Sequence, residues 1–172
     1  MKQLLSIFLL TISFQLSAQS KLTADQLKYL PGTWKGNLTY LDYSSGQPYT
    51  MQADLFVTLL ENGRKYIFSN RYPGEPAANA ADTIAIDLAS NFFDGHKISY
   101  VSTIAGNGVE FATEHNGTDG NDNKPALIRL TYRFDRRMFT RKKEVQFTGT
   151  TEWLKRHEYV YWRGDKKMMS GN

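Results

Sequence analysis

From Thr33 to Arg163 the chain reads in twos. Trp34, Gly36, Leu38 and Tyr40 fall on one side, and Lys35, Asn37 and Thr39 on the other. Tyr49, Met51, Ala53, Leu55 and Val57 then alternate with Thr50, Gln52, Asp54 and Thr58. Ile128, Leu130, Tyr132 and Phe134 alternate with Arg129, Thr131 and Arg133. Successive side chains of a strand point to opposite faces, so a period of two predicts strands with one buried face, whereas a helix needs a period near 3.6. The helical period fits only Lys21 to Leu30, where Thr23 and Gln26 have the spacing of a capping box. Pro31-Gly32 then stops that helix.

Short turn signals separate the alternating runs. Ser44-Ser45-Gly46-Gln47, Asp94-Gly95, Gly106-Asn107-Gly108 and Asp135-Arg136-Arg137 each fall between two runs. Glu61-Asn62-Gly63-Arg64 is the strongest hairpin signal, because Asn-Gly takes the positive φ values of a type I′ turn. Pro73 to Ala81 and the polar stretch His115 to Pro125 read as loops. About nine or ten strands result, joined mostly by tight turns. The predicted fold class is all-β: an up-and-down antiparallel β-barrel of about 8–10 strands with a short N-terminal helix, closed because closure removes exposed edges. A β-sandwich is the alternative, disfavoured because Greek-key crossings need long connections.

The 172-residue chain fits one domain, with no composition shift to mark a second. Met1-Lys2-Gln3, the uncharged run Leu4 to Phe14 and the small residues Ser17-Ala18 form the three parts of a secretory signal. The apolar run is shorter than the about 20 residues of a membrane span, and no later segment resembles one. The expected division is a signal peptide at 1–18 and a single domain at 19–172, exported to the periplasm or beyond as a soluble protein. With no cysteine, disulfides, thiolate metal sites, a Cys nucleophile and a lipid-modified N-terminal Cys are excluded. The net charge of +4 is modest. Arg136, Arg137, Arg141, Lys142, Lys143, Lys155, Arg156, Lys166 and Lys167 cluster late, but they flank or alternate with apolar residues as the wet face of strands does. That pattern and the expected export argue against nucleic acid as a partner.

Leu30-Pro31-Gly32-Thr33-Trp34-Lys35-Gly36 places Gly-x-Trp at the start of the first strand, after a short helical turn. The segment resembles the lipocalins and the wider calycin group. The resemblance implies a barrel whose Trp34 closes one end, with an Arg late in the last strand packed across its ring. Arg163, ending Tyr159-Val160-Tyr161-Trp162-Arg163, is the match for that Arg. Gly32, Trp34 and Arg163 are therefore expected to be barrel-closing. The Thr-Asp-Tyr of a later loop and a C-terminal helix, both features of the secreted animal proteins, are missing from the sequence.

A barrel of about eight strands can be filled by its own side chains or hold one small ligand. By alternation the interior receives Leu38, Tyr40, Met51, Leu55, Val57, Tyr66, Phe68, Ile86, Tyr100, Phe111, Leu130, Tyr132 and Tyr161. The candidate ligand-binding residues are its aromatic members: Tyr40, Tyr66, Phe68, Tyr100, Phe111, Tyr132 and Tyr161. Such a wall suits an apolar, amphipathic or flat ligand. The competing reading is that the rings fill the barrel and the protein is a structural or interaction domain of the cell envelope.

His96, His115 and His157 are not at metal-ligand spacing and read as surface residues, so neither a metal nor a cofactor is expected. Asp119, Asn121 and Asn123 begin like a calcium loop, but Lys124 and Leu130 stand where Gly and Glu belong. No nucleophile elbow, paired metal motif or phosphate loop occurs, so a non-enzymatic role is expected, with an enzyme of unknown reaction on the same fold as the further alternative. Asp42 and Glu152 are the carboxylates that alternation could turn inward. Nothing in the sequence specifies an oligomeric state. Expression in an exporting host should yield a chain beginning near Gln19; N-terminal sequencing that finds Met1 retained would refute the signal peptide.

Overall fold

The structure is a computed structural model that describes residues 21–42, 44–60 and 63–164. The expected signal peptide and the turn residues Glu61 and Asn62 lie outside the described residues. A one-turn helix, α1 (Ala24–Leu27), precedes ten strands: β1 (Gly32–Leu41), β2 (Pro48–Leu59), β3 (Lys65–Arg71), β4 (Ala80–Asp87), β5 (Phe92–Phe93), β6 (His96–Ile104), β7 (Gly108–Asp119), β8 (Lys124–Phe134), β9 (Met138–Phe147) and β10 (Leu154–Arg163). Each strand pairs antiparallel with the next, and β10 returns to β1, so the sheet closes into a barrel. The all-β meander is therefore the fold, and the sandwich is not.

Thr23 caps α1 as the spacing predicts: its side chain accepts from Gln26 N, and Gln26 answers the Thr23 backbone. Leu22, Leu27 and Leu30 are buried, so the helix seals one end of the barrel. Trp34 is wholly buried, and its Nε1 donates to Leu30 O at 2.9 Å. The Arg163 guanidinium lies over the Trp34 ring, with Cζ 3.8 Å from the centroid. Its Nη1 donates to Pro31 O at 2.7 Å, and its Nη2 donates to Tyr29 O. One side chain thus stacks on the indole and takes up two carbonyls of the segment that links α1 to β1.

Gly32 has a φ of 133°, a region essentially reserved for glycine, and a Cβ there would collide with Arg163 Nη1. Gly36 has a different reason: a Cβ would strike the Val160 carbonyl at the β1–β10 seam.

Register sorts the interior into rows. Pairing across β7, β8, β9, β10 and β1 aligns Val109, Phe134, Phe139, Tyr161 and Gly36 in the row nearest the closed end. Here the rings pack solid. Phe139 meets Trp34, Phe68, Phe134 and Tyr161 at centroid distances of 5.7, 6.4, 5.6 and 5.8 Å.

Two strand readings change. The stretch His115 to Pro125 is not a free loop: β7 and β8 run on to Asp119 and Lys124, and the turn is confined to residues 120–123. Tyr100 does not face inward. A register shift between Ile98 and Tyr100 reverses the alternation, so Ile98 is buried while Tyr100 stands on the outer face, its Oη donating to Glu110.

Gly32→Ala should lower stability by about 1–3 kcal/mol, the cost of forcing a side chain into that backbone region. Urea unfolding should show the loss as a lower midpoint with an unchanged slope. Wild-type stability would refute the strained role of Gly32.

Candidate functional site

Above the aromatic row the interior changes character. The next row holds Phe111, Tyr132, Arg141, Tyr159 and Leu38. The one above holds Thr113, Leu130, Lys143, His157 and Tyr40. Two cations and a histidine therefore share a face with Phe139 and Val145. Alternation in Phe139, Arg141, Lys143 and Val145 carries this signal, because all four positions have one parity. Reading the late basic residues together as a wet face misses it, and Arg141, Lys143 and Arg156 are corrections to that reading.

A cleft of about 370 Å³ opens at this level, lined by Asp82, Thr83 and Ile84 of β4, Asp94, Leu130 and Tyr132 of β8, Arg141 of β9 and His157 of β10. It sits beside the thinnest part of the wall. There β5 contributes only two residues, so β4 and β6 are joined through the pairs Ile86–Phe93 and Phe93–His96 and their neighbours. Phe93 fills that place by packing on Phe111 and Tyr132, at 4.9 and 4.8 Å.

Arg141 is half-buried. Its Nη2 donates to Asn70 Oδ1 at 3.2 Å, and its Cζ lies 4.3 Å from the Tyr159 ring centroid. The phenols of Tyr161, Tyr159, Tyr132 and Tyr72 interact with its charge. The hydroxyls of Tyr72 and Tyr159 bond each other at 2.8 Å. Desolvation pushes the Tyr132 phenol up to about 12 and raises those of Tyr72 and Tyr161 as well, so all three remain protonated at neutral pH. Lys143 and Arg156 are held by the buried Asp119, at 2.6 and 2.5 Å.

The histidines are not the surface residues that the sequence suggests. His115 stacks on His96 with ring centroids 3.8 Å apart, and its Nδ1 is buried without a hydrogen-bond partner. His157 lines the cleft, where burial and the charges of Arg141 and Lys143 lower its pKa to about 4. Among the described residues no three His, Cys, Asp or Glu side chains gather as a metal site would require.

Of the aromatic candidates, Tyr132 lines the cleft. Phe68, Phe111 and Tyr161 are buried among rings, and Tyr66 is buried in the same core. Tyr40 packs half-buried against that core beside Tyr49, and Tyr100 is outside. Asp42 and Glu152 do not enter the interior. Asp42 holds its turn by accepting from the Ser44 and Ser45 hydroxyls, and Glu152 is exposed.

No family model matches the chain, and no curated protein does so either. Solved structures share its outline. Rv2717c from M. tuberculosis is 12% identical, with a TM-score of 0.46 over 85% of this chain and 100% of its own. A protein of unknown function from the DUF3598 family of Nostoc punctiforme is 14% identical, with a TM-score of 0.40 over 83% of this chain and 49% of its own. The class established by the structure itself is a closed ten-strand antiparallel β-barrel.

A folded pKa below the unfolded one means that the native state holds fewer protons, so the stability that neutral His157 allows is fully present above the ordinary imidazole value of 6.5. That support is lost as pH falls from about 6.5 through about 4. His157→Phe should flatten the acid limb of stability over this range, by up to about 1.4 kcal/mol per pH unit. An imidazole that titrates near its ordinary pKa by NMR would contradict this.

Proposed function

We propose that this chain is an exported, lipocalin-like binding protein, not an enzyme, that holds a small amphipathic molecule in the cleft of its barrel. The observation that carries the reading is the cleft itself. Its volume of about 370 Å³ falls within the usual range for small-molecule sites, about 300–1,000 Å³. Its wall also has the required mixture. Leu130, Ile84 and the Tyr132 ring offer apolar area, while Arg141, His157 and the Tyr132 hydroxyl offer a few placed polar groups. Burial of the ligand's apolar part supplies affinity, and the polar groups orient it. The leader-like sequence Met1 to Ala18 supports export.

The packed-barrel reading draws on the other end of the molecule, where Phe139 packs against four other rings. The two readings separate by mass. Native mass spectrometry of protein purified from an exporting host should find an adduct of about a few hundred daltons, the scale of a ligand filling such a pocket. Solvent extraction would then identify it. A bare polypeptide mass, unshifted by added amphiphiles, would sink the binding reading.

A further inference from the structure

Closure leaves part of one strand edge open. Among the described residues, β6 pairs with β7 alone from Tyr100 to Ile104, because β5 joins it only at His96 and Lys97. Alternate residues of an antiparallel strand turn their N–H and C=O groups to opposite sides, so some of these groups point away from β7. Such a row is a template for another strand, and proteins ordinarily blunt it with a charge or a proline. Here the run is Ile98-Ser99-Tyr100-Val101-Ser102-Thr103-Ile104, with no charge, proline or glycine. All but its two serines are β-branched or aromatic, the composition that pairs most readily with its own kind. Tyr100, Ser102 and Thr103 are exposed, so a second chain can reach this edge.

The contrast with β4 is independent. Its edge over Ala80 to Ile84 also pairs on one side only, with β3, since β5 meets β4 at Ile86 and Asp87. That edge carries Asp82 at its middle, a charge that repels a like strand. The β6 edge has no such guard, and its chemistry is self-complementary. About a two-fold axis at Ser102, antiparallel strands set Ser102 opposite Ser102, Val101 opposite Thr103 and Tyr100 opposite Ile104. The bulge between Ile98 and Tyr100 stays outside this stretch, so outward side chains meet outward ones. An aromatic residue faces a β-branched one, two β-branched residues face each other, and no charge is involved, which are the cross-strand pairs that stabilise a sheet.

We infer that β6 is the docking strand for a second copy of this chain, two barrels being joined by antiparallel β6–β6 pairing across a two-fold axis at Ser102. The pairing uses up the edge that makes it, so assembly stops at two. It is independent of whether the cleft holds a ligand. Its few residue pairs make a small interface, so the dimer forms and separates in the micromolar range.

Sedimentation of the purified protein tests this. The average mass should rise from one chain toward two between about 1 and 200 μM, the range a small interface implies. Ser102→Glu should weaken the dimer about tenfold or more, because like charges placed directly opposite repel. Mixing Ser102→Glu with Ser102→Lys should restore the pair as a heterodimer. The chain has no cysteine, so Ser102→Cys gives a separate readout: mild oxidation at the top of that range should link two copies through this residue alone. A protein that stays monomeric throughout, or that grows past two chains, overturns the inference. So does a dimer that folded Ser102→Glu leaves intact. A Glu–Lys mixture that stays monomeric overturns the axis at Ser102, as does Ser102→Cys that dimerises without forming a disulfide. If Ser102→Glu does not fold, the cysteine variant decides.

Discussion

Arg163 joins parts of the chain more than 130 residues apart. Its guanidinium lies on Trp34 at the start of β1 and takes the carbonyls of Tyr29 and Pro31 ahead of it. Its backbone N–H reaches Arg137 O in the β8–β9 turn. The β1–β10 seam begins here, with Trp34 opposite Arg163, and runs to Tyr40 opposite His157. A meander becomes a barrel only if its first and last strands find one register. A one-residue slip would turn every side chain of a strand to the wrong face. Stacking, two carbonyl bonds and the glycine-only backbone at Gly32 all specify the same register at one end of the seam.

That closure makes a graded interior. Near Trp34 the rows are aromatic and buried, and Phe139 sits among four other rings. One row higher, Arg141 stands between Tyr132 and Tyr159 in the register. Higher again come Lys143, His157 and, farther along β7, Asp119. The apolar floor supplies the burial that stabilises the fold without disulfides. The polar rows carry desolvation costs that this floor must outweigh, and groups kept at such cost are where ligand chemistry is found.

The closing residues were legible because Gly32, Trp34 and Arg163 combine backbone, ring and charge requirements that few sequences meet together. The meander was legible because turn residues such as Gly46, Gly63 and Asp94-Gly95 punctuate the alternation. Tyr100 was not, since nothing in Ile98-Ser99-Tyr100 announces that the ladder slips by one residue there. β5 was hidden for a related reason: Phe92–Phe93 is too short to alternate. Arg141 and Lys143 were hidden by expectation rather than by pattern. Their parity with Phe139 and Val145 places them inside, but a run of Arg-Lys-Lys reads as solvent-facing unless parity is allowed to overrule polarity.

The brevity of β5 has a mechanical meaning. Elsewhere neighbouring strands pair over at least six residues; between β4 and β6 the wall runs through the two residues of β5, through bonds such as Asp94 N–H to Ala85 O and Ile98 N–H to Asn91 O, and through the Phe93 ring seated against Phe111 and Tyr132. Parting the wall here breaks few backbone bonds and exchanges mainly side-chain packing. The barrel is thus closed in topology yet uneven in its pairing, with one place on its circumference where side-chain packing carries more of the joint than the backbone ladder does. That place lies beside the cleft, whereas the Trp34–Arg163 closure is made by β1 and β10.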